Sequence, residues 1–346
     1  MNNHLLPFPY NQSRPPTWKG RLLHPFFHAL LPSDGSQRST PLRPSSTIST
    51  QLLSNEAANF RPIRIICISD THNTTPVLPP GDILIHSGDL TARGTFDEVQ
   101  AQLRWLHSQP HPHKIVIGGN HDLLLDEACD DRFPTRGDLD AEEKRAMLDW
   151  GGIVYLQDEA VNLEVAIQAP SSSTEGPQSV TRKVKIYGSP LTPEFGQWAF
   201  QYPAIRDVWT GRIPDGIDIL AVHGPPALYG DNDGEQGPSE KVKVKGDGYL
   251  LREIRRTQPK TVVCGHIHGA YGVATIEHNG IQDIMDEQQM RWPGHDSFNS
   301  LKRIIQSKRT LSGHTACSRQ TLVVNAAIAP AALKNDDKPA IAIDVR

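Results

Sequence analysis

Seven short apolar runs recur along this chain, and each closes on residues that rarely continue a strand. The runs are rich in β-branched residues and end at Gly, Asp, Asn or His, a pattern typical of buried strands. In chain order they are PIRIICISD (62–70), DILIHSGD (82–89), KIVIGGNHD (114–122), VKIYGSP (184–190), IDILAVHGPP (217–226), KTVVCGHIH (260–268) and TLVVNAA (321–327). So many separate strands restrict the chain to a fold built around β-sheet.

Helical patterns lie between several of these runs. TFDEVQAQLRWLHS begins with Thr95 and Glu98 at capping-box spacing, DAEEKRAMLDWGG carries acids in its first turn, and GYLLREIRRTQP stops at Pro259. Strands that alternate with helices predict a layered α/β fold with much parallel sheet. The stretch 153–188 shows successive strands without a helix, which indicates a second sheet.

Composition divides the chain into unequal parts. Residues 1–60 contain eight Pro and eight Ser without a sustained period, which predicts a disordered N-terminal extension. A domain is predicted over 61–330, with an irregular insertion at about 278–319, followed by a C-terminal tail at 331–346. No apolar stretch has the form of a signal peptide or a membrane span, and the cysteines form no paired motif, so a cytoplasmic location is expected. The net charge of −4 gives no general attraction to nucleic acid.

Polar residues that can bind metal follow five of the apolar runs. In open α/β sheets the carboxyl ends of the strands converge, so these side chains are expected to meet in space. Each could instead cap a helix or close a turn, but five such endings together favour a common site. The residues are Asp70, His72, Asp89, Asn120, His121, His223, His266 and His268. Two further histidines, His111 and His113, flank a proline and are expected to face solvent.

This set of donors combines carboxylates, imidazoles and an amide oxygen. Such a mixture suits Mn, Fe or Zn better than Ca, which prefers oxygen alone, and Mn is favoured here. Even seven ligands out of these eight residues are too many for one tetrahedral ion. They suit two divalent transition-metal ions about 3.5–4 Å apart that share one bridging carboxylate.

The motifs SDTH, SGDL, GGNHD, VHGPP and CGHIH, in this order, resemble those of the calcineurin-like metallophosphoesterase superfamily over residues 63–328. The resemblance implies a β-sandwich of two mixed sheets flanked by helices, with a dinuclear metal site at the strand carboxyl ends. It implies hydrolysis of a small phosphoester by in-line attack of a hydroxide that bridges the ions. The implied first ion is bound by Asp70, His72, Asp89 and His268, and the implied second by Asp89, Asn120, His223 and His266. His121 matches the histidine that contacts phosphate and protonates the leaving oxygen.

Two further segments bear on the substrate. GSPLTPEFGQWAF and HGPP resemble the branch of metallophosphoesterase-domain-containing proteins that includes cyclic-nucleotide phosphodiesterases, so phosphodiesters, nucleotides among them, are the favoured substrates. Trp198 and Phe200 could stack on a nucleobase or pack under the rim of the site.

The alternatives are a phosphomonoesterase, a Ser/Thr-type protein phosphatase and, more remotely, an inactive scaffold of the same fold. GDLTARG places Arg93 where protein phosphatases have a substrate-binding arginine. However, Ala92 and Gly118 stand where those enzymes have an aspartate and a second arginine. The oligomeric state is left open.

Overall fold

Two six-stranded sheets form the framework of the protein. The computed structural model describes residues 48–49, 60–132, 140–168, 179–232, 244–290, 319–329 and 338–346. The first sheet has the order β1-β14-β2-β3-β4-β5. Its strands are β1 (Ile48–Ser49), β2 (Ile63–Ile68), β3 (Ile83–Ser87), β4 (His113–Ile117), β5 (Ile153–Tyr155) and β14 (Ile341–Val345).

The second sheet has the order β12-β13-β11-β10-β7-β6. The segment between β7 and β10 forms a separate two-stranded sheet, β8-β9. Its strands are β6 (Glu159–Gln168), β7 (Ser179–Ser189), β10 (Ile219–Val222), β11 (Thr261–Cys264), β12 (Gly272–Glu277) and β13 (Gln320–Asn325). The small ladder pairs β8 (Thr192–Pro193) with β9 (Gln201–Tyr202).

Alternation along the strands explains how the layers pack. In β2, Ile65 and Cys67 point into a core shared by both sheets, whereas Ile66 and Ile68 point the other way, toward helices. The helices are α1 (Phe96–Ser108), α2 (Glu127–Arg132), α3 (Ala141–Ala146), α4 (Gly248–Thr257) and α5 (Gly280–Met290). Helix α1 covers the first sheet and α4 covers the second. The predicted sandwich of two mixed sheets flanked by helices is confirmed.

Strand direction places the predicted ligands at one end of the sandwich. β2, β3, β4 and β5 run parallel to one another, as do β7, β10, β11 and β13. Antiparallel partners occur at β14, β12 and β6. The segments that follow β2, β3, β4, β10 and β11 therefore leave the sheets at their carboxyl ends.

Local sequence signals explain the helix boundaries. Thr95 accepts a hydrogen bond from the backbone of Glu98, and the Glu98 carboxylate accepts one in return, so the predicted capping box of α1 is present. Asp247 caps α4, and Gln258 ends that helix in a left-handed conformation just before Pro259. No helix among the described residues is long and apolar enough to cross a bilayer.

Several details differ from the sequence predictions. The insertion predicted as irregular begins with helix α5, and residues 291–318 lie outside the described residues. The tail contains β14, which lies between β1 and β2 because it pairs with both. His111 does not face solvent: it is 1% exposed, and its Nε2 lies 2.9 Å from the Pro79 carbonyl oxygen. Residues 1–60 were predicted to be disordered. Apart from β1 and Phe60, they lie outside the described residues.

Candidate metal centre

A carboxylate from the end of β3 lies at the middle of the site. Asp89 Oδ2 is 3.7 Å from His72 Nε2, and Asp89 Oδ1 is 3.4 Å from His223 Nε2. The side chain is 2% exposed. Its two oxygens therefore face two different groups of candidate ligands, each with members from both sheets, as a carboxylate shared by two ions would.

The first group lies on the Oδ2 side of Asp89. His268 Nε2 is 3.1 Å from Asp70 Oδ1 and 3.4 Å from His72 Nε2. One ligand atom from each of these three residues lies within 4.8 Å of the other two. This group joins the segment after β2 to the segment after β11.

The second group lies on the Oδ1 side. His223 Nε2 is 2.9 Å from the amide oxygen of Asn120, and ligand atoms of Asp89, His223 and His266 lie within 4.8 Å of one another. His223 is completely buried, and Asn120 is 4% exposed. All seven predicted ligands are thus brought together around Asp89.

Backbone carbonyls orient three of the imidazoles. The Nδ1 atoms of His72, His121 and His223 lie 3.0, 2.9 and 2.8 Å from the carbonyl oxygens of Thr91, Ala92 and Ser87. Because a carbonyl oxygen only accepts, each Nδ1 carries the proton and donates it. In the neutral rings Nε2 then keeps a lone pair, which is the form that binds metal.

The charges of the site fit a bound cation. In neutral His223, the Nε2 lone pair faces the Asn120 and Asp89 oxygens, and such acceptors repel one another unless a positive charge lies between them. Burial opposes a charge on His223, but the carboxylates of Asp89 and Asp70 raise its pKa to about 9. The same field that stabilises a proton there would stabilise a divalent ion.

Backbone strain accompanies the candidate ligands. Asp70, His72, Asp89 and His266 all have positive φ, at 56°, 43°, 53° and 66°. Left-handed residues other than glycine are uncommon and cost roughly 1–3 kcal/mol each when strained, although Asp and His tolerate this region better than most. Such clustering is characteristic of functional sites.

Gly265 permits the close approach of two ligand segments. A Cβ at this position would lie 2.0 Å from Ser69 Oγ and 2.1 Å from Asp70 Oδ2. The absence of a side chain lets the β11 loop cross directly over Asp70. The backbone N–H of His266 can therefore donate to that carboxylate, at 2.9 Å from Oδ2.

His121 lies beside the candidate ligands and against an indole. A ring nitrogen lies within 4.8 Å of ligand atoms from His72 and Asp89. Its backbone N–H donates to Asp89 Oδ1 at 2.7 Å. The ring of Trp198 stacks on the imidazole, with centroids 4.1 Å apart and planes inclined by 28°.

The three residues predicted to contact substrate occupy different environments. Arg93 is exposed beside Ala92, whose carbonyl holds His121. Trp198 is half-buried, and His121 occupies one of its faces. Phe200 is 5% exposed and adopts a φ of 56°, with its backbone N–H donating to Asp126. For Phe200 this placement favours the packing alternative over nucleobase stacking.

From the sequence, Asp122 could orient His121 or cap the following helix, but the structure gives it a different role. Its carboxylate accepts from the backbone N–H groups of Leu90, Thr91 and Gly119 and from the Thr91 hydroxyl. It therefore ties the loop after β3, which carries Asp89, to the loop after β4, which carries Asn120. It neither contacts the His121 ring nor caps the 3₁₀ turn Leu123–Leu125. Burial and the charge of Asp89 raise the pKa of Asp122 to about 6.

Comparisons with known proteins find a phosphoesterase family model and relatives that each match more than half of this chain. A family model described as calcineurin-like phosphoesterase matches residues 63–270, which include every candidate ligand. Metallophosphoesterase domain-containing protein 1 of Homo sapiens is 37% identical over 227 residues, which cover 61% of this chain and 62% of that protein. A UPF0046 protein of Caenorhabditis elegans is 33% identical over 222 residues, covering 62% of this chain and 71% of that protein.

A longer relative carries a different name. The protein called probable rhamnogalacturonate lyase C, from Emericella nidulans, is 34% identical over 288 residues. The match covers 82% of this chain but 24% of that protein. The lyase name therefore belongs to a longer protein, and the region that it shares with this chain is about a quarter of its length.

Proposed function

Because the chain belongs to the calcineurin-like phosphoesterase family, we propose that it hydrolyses phosphate esters with the help of two divalent metal ions. The observation that carries this proposal is the position of Asp89, whose two oxygens face separate groups of ligand atoms. That arrangement suits two neighbouring cations that share one carboxylate.

The ligands divide between the two ions as the family pattern implies. Asp70, His72, Asp89 and His268 would hold the first ion, and Asp89, Asn120, His223 and His266 the second. Nitrogen and oxygen donors in this mixture favour Mn, Fe or Zn, with Mn as our first choice. When bound, such a pair lowers the pKa of water and neutralises charge on a phosphoryl group.

His121 supplies the proton that the leaving oxygen requires. With Nδ1–H donating to the Ala92 carbonyl, the other ring nitrogen is directed away from that loop and toward the centre. In the protonated ring this nitrogen can donate to the departing alkoxide. Proton donation of this kind depends on the ring holding its orientation, which Trp198 restrains from one side.

Phosphodiesters, including cyclic nucleotides, are the substrates that we favour over phosphoproteins. A Cβ at Gly118 would lie 2.6 Å from the ring of Phe200, so the arginine that protein phosphatases carry there has no room. A phosphate monoester dianion gains more from a second guanidinium than a diester monoanion does. The absence of room for this second arginine supports a diester substrate. Because the exposed Arg93 could still bind a phosphate, a monoester is the second candidate.

A comparison of two aryl substrates tests this choice. With Mn added, we expect a higher kcat/KM for a bis-aryl phosphate than for the matching aryl monophosphate. Asp89→Asn, measured in parallel, controls for a contaminating phosphatase. A preference for the monoester would overturn the diester proposal and leave the hydrolase proposal standing, whereas failure on both substrates would remove the hydrolase proposal as well.

Replacing Trp198 should lower kcat and leave the KM for nucleotide substrates nearly unchanged. Aromatic pairs contribute about 0.5–1.5 kcal/mol, so Trp198→Leu should lower kcat for an alkyl phosphodiester by about 2- to 10-fold with KM nearly unchanged. Trp198→Phe, which keeps an aromatic face, should recover most of the loss. A raised KM for nucleotides alone, with kcat retained, would show instead that the indole stacks on a base.

A further inference from the structure

Asn325, the last residue of β13, contacts two ligand-bearing loops without being a candidate ligand. It is completely buried. Its amide nitrogen donates to the carbonyl oxygens of Gly230 at 2.9 Å and Ile267 at 3.1 Å, and lies 3.4 Å from that of Gly265. Gly230 belongs to the segment that leaves β10 after His223. Gly265 and Ile267 lie on either side of His266.

The residues after Asn325 extend this link to the other sheet. The Asn325 side-chain oxygen accepts from Ala327 N–H at 3.1 Å, which fixes the turn that leaves β13. Ala326 accepts from Ser69 N–H at 2.9 Å, and Ile328 donates to the Ser69 carbonyl at 3.0 Å. Ser69 immediately precedes Asp70. We call residues 325–328 the clasp, because they join ligand-bearing segments from both sheets.

The clasp bears most directly on His266. This residue has a φ of 66°, and its N–H donates to the Asp70 carboxylate. A strained conformation persists only where its surroundings hold it. The Asn325 amide donates to the Ile267 carbonyl and lies close to the Gly265 carbonyl, so it restrains the backbone on both sides of His266 and with it the direction of the imidazole.

A second side chain supports the clasp from the C-terminal segment. The Lys338 ammonium donates to the carbonyls of His268 and Ala329 and lies 3.5 Å from that of Ala327. It thereby connects the clasp to the turn that carries His268. The β11 loop is therefore held from two directions, with Asn325 beside His266 and Lys338 beside His268.

We propose that Asn325 is a positioning residue of the metal centre, which holds His266 in the orientation needed to bind the second ion. The proposal rests on the ligand set of the proposed function. It assigns to Asn325 no contact with substrate or metal. Residues that orient metal ligands typically change metal affinity by about 10- to 100-fold when they are replaced.

Thr321 offers a matched control on the same strand. It is also completely buried, and its hydroxyl donates to the Pro259 carbonyl at 2.5 Å. It lies at the opposite end of β13 from the clasp. Thr321→Val removes the buried hydrogen bonds of this hydroxyl to Pro259 and His278 while leaving the loops around His266 in place, so it lowers stability without a loss of positioning.

The test compares Mn²⁺ titrations of the full chain carrying Asn325→Ser or Thr321→Val. We expect Asn325→Ser to weaken binding of one of the two ions by about 10- to 100-fold, with the other changed far less. Thr321→Val should leave both affinities near wild type, although both variants melt earlier. If Asn325→Ser does not fold, Asn325→Asp, which keeps the shape and the acceptor for Ala327, replaces it.

Hydrogen exchange of the metal-free protein separates this proposal from the proposed function. The amide of His266 should exchange at least about fivefold faster in the Asn325 variant than in Thr321→Val. Equal metal affinities in the two variants would overturn the positioning role while leaving the proposed function intact. If the wild type binds no ion, the proposed function fails, and unchanged exchange at His266 would then overturn the positioning role independently.

Discussion

Replacing Asp89 with asparagine should remove both metal ions from the protein together. The two oxygens of Asp89 face His72 on one side and His223 on the other, so one carboxylate serves both ligand groups. Asparagine has the same shape but lacks the negative charge that keeps two cations close to each other. Metal ions contribute several kcal/mol to such reactions, so activity should fall by roughly 10³-fold or more.

Elemental analysis of the purified variants provides the measurement. Wild type should contain close to two transition-metal ions per chain and Asp89→Asn close to none, whereas His223→Ala should lose mainly the second ion. Asp344→Asn is the control, since that carboxylate is also buried but pairs with Arg64 on β2. An Asp89→Asn protein that retains one tightly bound ion would show that the carboxylate is not shared.

The positions of the candidate ligands could be predicted because they depend on a local pattern. An apolar run that stops at Gly, Asp or His indicates where a buried strand ends, and parallel pairing brings the carboxyl ends of neighbouring strands together. The motif order then indicated how Asp70, Asp89 and the GHIH histidines would be shared. The close distances around Asp89 agree with that prediction, although the assignment of each ligand to an ion remains a proposal.

The residues that support the ligands could not be predicted in the same way. Asp122 and Asn325 act through hydrogen bonds to loops that lie far away in the sequence, such as Leu90 for Asp122 and Gly230 for Asn325. No local period or cap reveals such a partner. The only signal was a polar residue at a strand end, and turn chemistry explains that signal equally well.

Helix α5 was missed, and for the tail that contains strand β14 the sequence left both an edge strand and a flexible end open, for a related reason. Helix α5 is attached by tertiary contacts: Ile284 is buried, and Asp283 and Asp286 form ion pairs with Arg255 of α4. β14 is short, and it is placed by pairing with β2 in the antiparallel direction. Both elements depend on surfaces that exist only after the two sheets have formed.

Replacing His121 with alanine should separate substrates by their leaving groups. The ions can activate water without a general base, but a departing alkyl or ribose oxygen also needs a proton. Loss of a general acid costs roughly 10²- to 10⁴-fold, so alkyl phosphodiesters should slow by about that factor. Nitrophenyl esters should slow far less, because nitrophenolate leaves without protonation.

Metal content should stay near wild type in the His121→Ala protein, because His121 contacts Asp89 through its backbone. The contact between His121 and Asp89 is made by the peptide N–H at 2.7 Å, which alanine retains, and the neighbouring proposed ligand is Asn120. His278→Ala, which removes a half-buried histidine bonded to Thr321, controls for the loss of an imidazole elsewhere. An equal loss on alkyl and nitrophenyl esters would mean that His121 binds the phosphoryl group without donating a proton. A loss of metal would mean that the ring itself is a ligand, because the backbone bond to Asp89 is unchanged by the substitution.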